Sequence, residues 1–254
     1  MLMSECQFIL KSFGHSDVGL VRNNNEDVFL QVSRHNFFAL ADGMGGHKAG
    51  EVAAQETVVY LSSCIEKMFK FHKESSLDVV QIKDNLSHYI EHSNTRIYQL
   101  GKENDSYKGM GTTLCSLLFY RNRLIRAHVG DSRIYLYRNN TLTQLTYDHT
   151  LYNKLIMQGK LEEAIEKGIR YKNVLTRAIG AYKSLTPEIS LSVVEPEDLY
   201  LMCSDGLSDY VTDEEISCIL DAETTLKEKG LELIARAKSK KSSDNITVLL
   251  TQVE

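Results

Sequence analysis

The spacing of apolar residues changes several times along this chain, and each change sorts a segment into strand or helix. Phe8 to Phe13, Val28 to Val32 and Phe37 to Ala41 are short runs rich in aromatic or β-branched residues and bounded by turn formers, which predicts three neighbouring strands. Between Gly50 and Lys70, Val58, Leu61, Ile65 and Met68 recur three and four apart, and Val79, Ile82, Leu86, Ile90, Ile97 and Leu100 repeat the pattern. This is the period of amphipathic helices. Strand spacing returns at Thr112 to Tyr120, Leu124 to Val129 and Arg133 to Arg138, where Arg138-Asn139-Asn140-Thr141 is a hairpin turn; a meander is expected. Tyr147 to Gly180 is irregular, with helical patches at Leu151 to Met157 and Leu161 to Lys167, and reads as an insertion on a sheet edge. Strands are expected near Pro187 to Val194 and at Leu199 to Cys203. The capping box Thr212 to Glu215 starts a helix before Ile216, a second helix spans Thr225 to Lys240, and the apolar run Ile246 to Gln252 suits a strand buried on both faces.

Strands and helices segregated in this way predict an α+β fold, a four-layer α-β-β-α sandwich in which two antiparallel sheets pack together and helices cover them. With 254 residues, 43% of them hydrophobic, the chain can bury one large core, and a single domain over residues 1–254 is the reading. A net charge of -5 and the lack of a basic face argue against nucleic acid as a partner. The five cysteines are odd in number and form no C-x-x-C pair, so neither a disulfide frame nor a zinc site is indicated. The N-terminal M-L-M-S-E-C-Q-F-I-L lacks the basic start of a signal peptide, and no apolar run approaches the roughly 20 residues of a membrane span. A soluble, cytoplasmic monomer is expected.

Several catalytic motifs can be tested and dropped. Gly43-x-Gly45 is followed at the third position by Lys48, so no G-x-G-x-x-G is present, and Glu51 stands where a P-loop following Gly45 and Gly50 needs lysine. G-H-S-D-V-G, from Gly14, misses the nucleophile-elbow spacing by one residue. Cys115 to Arg121 satisfies a bare C-x5-R, yet the bulky Ser116-Leu117-Leu118-Phe119-Tyr120 between them is strand material, and Cys115 reads as a packed thiol. What survives is an acid beside a small residue at the end of each of four strong strands: Asp42-Gly43, Gly130-Asp131-Ser132, Ser204-Asp205-Gly206 and Ser243-Asp244-Asn245. Any one of these could be a turn. Gathered at one rim of a sandwich, the four carboxylates would repel and call for a cation, and oxygen-only ligands favour Mg²⁺ or Mn²⁺ over Zn²⁺.

Ser16, Asp17, Gly19 and Arg22 in S-D-x-G-x-x-R, then Asn25-Glu26-Asp27, A-D-G-M-G-G-H, M-G-T-T-L, V-G-D-S-R, C-S-D-G-L and S-D-N-I-T follow one another in this order. Together they resemble the metal-dependent Ser/Thr protein phosphatases of the type 2C family, in the compact form found in bacteria, over about Phe13 to Thr251. The resemblance implies hydrolysis of phosphoserine and phosphothreonine by direct attack of a water that bridges two Mn²⁺ or Mg²⁺ ions, without a phospho-enzyme. By it Asp42 bridges the ions, the Gly43 carbonyl contacts one, Asp205 and Asp244 hold the other, and Glu26 and Asp27 act through water. Asp131, joined by Asp205, matches a weaker third metal position, and Arg22 grips the phosphate. The implied partners are phosphoproteins modified by a Ser/Thr kinase.

Two departures accompany the match. Met44 stands where eukaryotic relatives carry a histidine thought to protonate the leaving group, which leaves His47 and His149 as nearby candidates. Residues 147–180 resemble the family's flap through Gln158-Gly159, Glu162-Glu163-Ala164 and Leu175-Thr176-Arg177-Ala178-Ile179-Gly180, but Gly168-Ile169-Arg170-Tyr171 replaces the flap's usual His-Pro pair. The competing expectations are a catalytically weak regulatory module of the same fold and a two-metal phosphodiesterase or nuclease. Intact Arg22, Asp42, Asp205 and Asp244 speak against the first, and the absence of a basic groove against the second.

Overall fold

Alternate residues of the central strands face two different cores, and this alternation builds the molecule. The computed structural model describes residues 8–45, 49–71, 77–166 and 174–254. On β3 (Phe37–Met44) the side chains of Phe37, Ala39 and Ala41 pack towards helices, whereas Phe38 and Leu40 point into the space between two sheets. β5 (Leu114–Tyr120) repeats this with Leu114, Leu118 and Tyr120 on the helix side and Cys115, Leu117 and Phe119 between the sheets. Successive side chains of a strand point to opposite faces, so a strand buried on both must be apolar at nearly every position.

One sheet has the order β2-β3-β5-β6-β9, with the short β4 (Gly111–Thr112) also paired to β3; β2 is Asp27–Val32, β6 is Arg123–Val129 and β9 is Glu188–Val193. Its outer face is covered by α1 (Ala49–Phe71) and α2 (Val79–Glu103), whose Val58, Leu61, Ile65, Ile82, Leu86 and Ile90 are buried against it. The other sheet has the order β1-β11-β10-β7-β8, formed by Leu10–Asp17, Ile246–Val253, Leu199–Cys203, Arg133–Arg138 and Thr141–Gln144. α6 (Asp213–Asp221) and α7 (Leu226–Ser239) cover it, each begun by a capping box, Thr212 with Glu215 and Thr225 with Glu228. All strand pairs are antiparallel, so the four-layer sandwich expected from the sequence is the fold. Two short helices, α3 (Leu151–Met157) and α4 (Leu161–Glu166), lie in the long connection from β8 to β9.

Two local expectations are corrected. The first three strands are not all neighbours: β2 pairs with β3, but β1 pairs along its whole length with β11, from Leu10 opposite Val253 to Asp17 opposite Ile246. The chain's two ends thereby share a sheet, a long-range pairing that local spacing cannot reveal. Nor do β5, β6 and β7 form a meander, because β6 lies in one sheet and β7 in the other. The crossing is made at Gly130, which has a φ of 107° and lies close against Thr113; a side chain there would be strained and would clash. The hairpin at Asn139-Asn140 is present, both residues having positive φ as a two-residue turn requires.

Candidate functional site

The crossing at Gly130 puts Asp131 at the same end of the sandwich as the other three strand-end acids. Asp42 sits near the end of β3 opposite Asp27 at the start of β2, Asp205 opens the short α5 (Asp205–Ser208) one residue after β10, and Asp244 lies two residues before β11. A cleft of about 510 Å³ is lined by Arg22, Glu26, Asp42, Gly43, Asp131, Asp205 and Asp244, with Met44, Leu175, Ala178 and Tyr182 among its apolar lining. Each acid predicted for the site except Asp27 therefore faces one cleft; Asp27 is buried behind Asp42.

Like charges this close raise one another's proton affinity. Burial, followed by Asp27, Asp205, Asp131 and Asp244, holds the Asp42 carboxyl well above the usual carboxylate range. Burial and then Asp131 and Asp244 do the same to Asp205. Asp131 is pushed up to about 6 by burial and then by Asp148, and Asp27 to about 6, chiefly by burial. Glu26 is raised mainly by burial. Arg22 is the cation lining this cleft among the described residues, and its Nη2 donates to Asp244 Oδ2 at 2.7 Å. One arginine cannot offset this many carboxylates.

The donor set fits hard divalent ions. It is made of oxygen and it converges, and directly behind it a buried carboxylate oxygen, Asp27 Oδ1, has no hydrogen-bond partner. Among the described residues no three of these carboxylates bring ligand atoms within 4.8 Å of one another.

Residues not singled out from the sequence fix this geometry. Asn245 Oδ1 accepts from the Glu26 main-chain N–H at 2.9 Å, and its Nδ2 donates to the carbonyls of Val18 and Asn24. It thereby locks the Arg22–Glu26 segment to the Asp244 turn. Thr113 Oγ1 accepts from the Asp42 N–H at 3.0 Å, and its own N–H donates to the Asp42 carbonyl at 2.9 Å. Ser204 Oγ donates to Asp27 Oδ2 at 2.7 Å. Ser204 and Asn245 each stand beside a motif acid and Thr113 lies within M-G-T-T-L, which was their only signal.

The two histidine candidates fare differently. His47 lies outside the described residues, as does the Gly168–Tyr171 stretch of the flap. His149 does not line the cleft; its Nδ1 accepts from the Gly130 N–H at 3.1 Å. Cys115 is fully buried, donates from Sγ to the Ser132 carbonyl at 3.2 Å, and is pushed well above the ordinary thiol range by burial. Arg121 stacks over Tyr120, and no thiolate cradle exists there. Cys115→Ser should keep turnover within about twofold while losing about 1 kcal/mol of stability, read by steady-state kinetics and urea unfolding; loss of turnover in a folded variant would restore a catalytic role to the thiol.

A cleft lined by carboxylates and one arginine, at the end of a double-sheet sandwich, defines a metal-dependent phosphomonoester hydrolase. The comparisons agree: the profile of Protein phosphatase 2C matches residues 10–246. A putative protein phosphatase 2C-type from Streptococcus pyogenes is 36% identical over 94% of this chain and 96% of its own. The serine/threonine phosphatase of S. agalactiae superposes with a TM-score of 0.86 at 35% identity, covering 97% of this chain and 100% of that one. The catalytic domain of the phosphatase PstP, solved with two manganese ions, has a TM-score of 0.82 at 35% identity, covering 97% and 99%. The chain belongs to the protein phosphatase 2C family. It is a protein serine/threonine phosphatase.

Proposed function

We propose that Asp42, Asp205 and Asp244, with the carbonyl of Gly43, hold two Mn²⁺ or Mg²⁺ ions, that Glu26 and Asp27 act on them through water, and that Asp131 with Asp205 serves a weaker third ion. The observation that carries this reading is the convergence of the four strand-end acids on one cleft beside Arg22. When bound, such ions neutralise the carboxylates and acidify the water that attacks phosphorus. The chain's own residues do the rest. Arg22, half-exposed at the cleft mouth and tied by one nitrogen to Asp244, presents its remaining donors to the phosphate oxygens. Asn245 and Thr113 hold the acids where the ions need them. Met44 lines the cleft but has no proton to give, so the leaving alkoxide takes its proton from another source.

The same reading takes residues 1–254 as one catalytic domain with residues 147–180 as its flap. Its substrates are phosphoproteins, and we assign their modification to a Ser/Thr kinase. The net charge of -5 supports a protein and not a nucleic acid as partner. Among the described residues no helix is long and apolar enough to cross a membrane, which supports action away from the bilayer; a cytoplasmic monomer is the state we propose.

The test is hydrolysis of a phosphothreonine peptide and of p-nitrophenyl phosphate with and without metal. Activity should fall to the uncatalysed background in excess EDTA and return with added Mn²⁺. Turnover that persists in chelator would overturn the metal assignment.

A further inference from the structure

The turn between β6 and β7 carries Asp131, and both its shoulders are gripped by consecutive residues that follow β8. At Arg133, Nε and Nη2 donate to Asp148 Oδ1 and Oδ2 at 3.0 and 2.8 Å. At Gly130, the main-chain N–H donates to His149 Nδ1 at 3.1 Å, while the carbonyl accepts from the His149 main-chain N–H at 2.8 Å. Thr113 clasps Asp42 in the same way, its side chain accepting from the amide and its own amide donating back to the carbonyl. A main-chain amide can only donate, so Nδ1 accepts and the neutral ring carries its proton on Nε2, 3.4 Å from Glu188 Oε2. Arg177 Nη1, 3.3 Å from that nitrogen, is itself a donor and cannot bond to a protonated one.

Asp131 needs such a hold. Among the described residues no other residue hydrogen-bonds its carboxylate, so the carboxylate's place depends on the main chain beneath it. On one side that chain is tied to Thr113 and β5: Ser132 Oγ lies 2.7 Å from Thr113 Oγ1, and the Ser132 carbonyl accepts from Cys115 Sγ. On the other side stands Gly130, at a φ of 107°, whose peptide has no side chain of its own to restrict it. His149 supplies the restriction. Its ring lies against the buried His128, with centroids 4.6 Å apart, and its carbonyl accepts from Thr176 N–H and Oγ1 at 2.7 and 3.0 Å, so the ring is itself anchored.

We propose that His149 is a positioning residue for the reaction: through Nδ1 it fixes the Gly130 peptide and so holds the Asp131 carboxylate where the weaker third ion binds. That role rests on Asp131 serving the weaker ion, as proposed above. It asks nothing of the ring as an acid and does not require it to reach substrate, in keeping with its place outside the cleft lining.

The Mn²⁺ dependence of turnover, read beside calorimetric counting of the tight ions and thermal melts, tests this in His149→Ala, His149→Asn, His149→Gln, Asp131→Ala and the His149→Ala, Asp131→Ala double variant. The Oδ1 of an asparagine falls near the position of Nδ1 and can accept from Gly130, whereas the amide of a glutamine reaches towards the position of Nε2. His149→Ala and His149→Gln should raise the Mn²⁺ concentration for half-maximal turnover about tenfold while keeping the two tight ions, and His149→Asn should restore most of that loss. Added to Asp131→Ala, His149→Ala should cost less than about a further twofold, because the two residues act on one ion. A wild-type Mn²⁺ midpoint in His149→Ala and His149→Gln beside a shifted one in Asp131→Ala would overturn this proposal alone, even if the melting temperature fell. A wild-type midpoint in Asp131→Ala would overturn the third-ion reading together with it. His149→Asn as defective as His149→Gln, or full additivity in the double variant, would also overturn it. Should His149→Ala fail to fold, the comparison of His149→Asn with His149→Gln decides.

Discussion

Asp42→Asn should leave a folded protein that turns over at least about 10³-fold more slowly than wild type, a barrier increase of about 4 kcal/mol. Asp42 is the acid on which the others converge: Asp27, Asp205, Asp131 and Asp244 all raise its proton affinity. An amide keeps the shape and the bonds that Thr113 makes to the Asp42 main chain, but it gives up the negative charge that the proposed metal-binding role would need. The same loss relieves repulsion in the absence of metal. In chelator at pH 8 the variant should therefore be more stable than wild type, by about 1 kcal/mol. Kinetics on a phosphothreonine peptide with a thermal melt in EDTA reads both effects. Wild-type turnover in Asp42→Asn would remove this residue from the reaction.

Gly206→Ala should lower both stability and turnover, although the residue carries no chemistry. A Cβ at Gly206 would stand 1.9 Å from the main-chain oxygen of Asn245, and backbone cannot swing aside as a flexible side chain can. The strands and α5 must shift to make room, at a cost of about 1–3 kcal/mol. The shift falls on the Asn245 segment, whose side chain holds the Glu26 main chain and the carbonyls of Val18 and Asn24. Displacing Asp244 and Glu26 by about 1 Å should slow turnover about 10²-fold. Urea unfolding and steady-state kinetics measure the two losses; a variant like wild type in both would show that the Asp205 and Asp244 segments are not locked together through this contact.

How far the sequence reached follows from which forces act locally. β7 and β10 begin and end at the expected residues, Arg133–Arg138 and Leu199–Cys203, because their alternation is set by burial on two faces of each strand. The capping box before α6 is equally local, spanning four residues from Thr212 to Glu215. What sequence spacing missed was which sheet each strand joins. β1 finds β11 more than 200 residues away, and β6 hands over to β7 across the sandwich through a single left-handed glycine. α5, four residues long, is too short to show a period. At the site the acids were legible because an acid beside a small residue recurs at strand ends, and their order matched a family. Asn245, Thr113 and Ser204 were not, since each works through a bond to a segment distant in sequence.

The most direct measurement is a calorimetric Mn²⁺ titration of the wild type beside Asp42→Asn and Asp131→Ala. The account predicts two tight ions in the wild type, both retained in Asp131→Ala, which loses only weaker binding and some turnover, and at least one tight ion lost in Asp42→Asn. Two tight ions surviving in Asp42→Asn, or lost in Asp131→Ala, would contradict the assignment of this cleft's carboxylates.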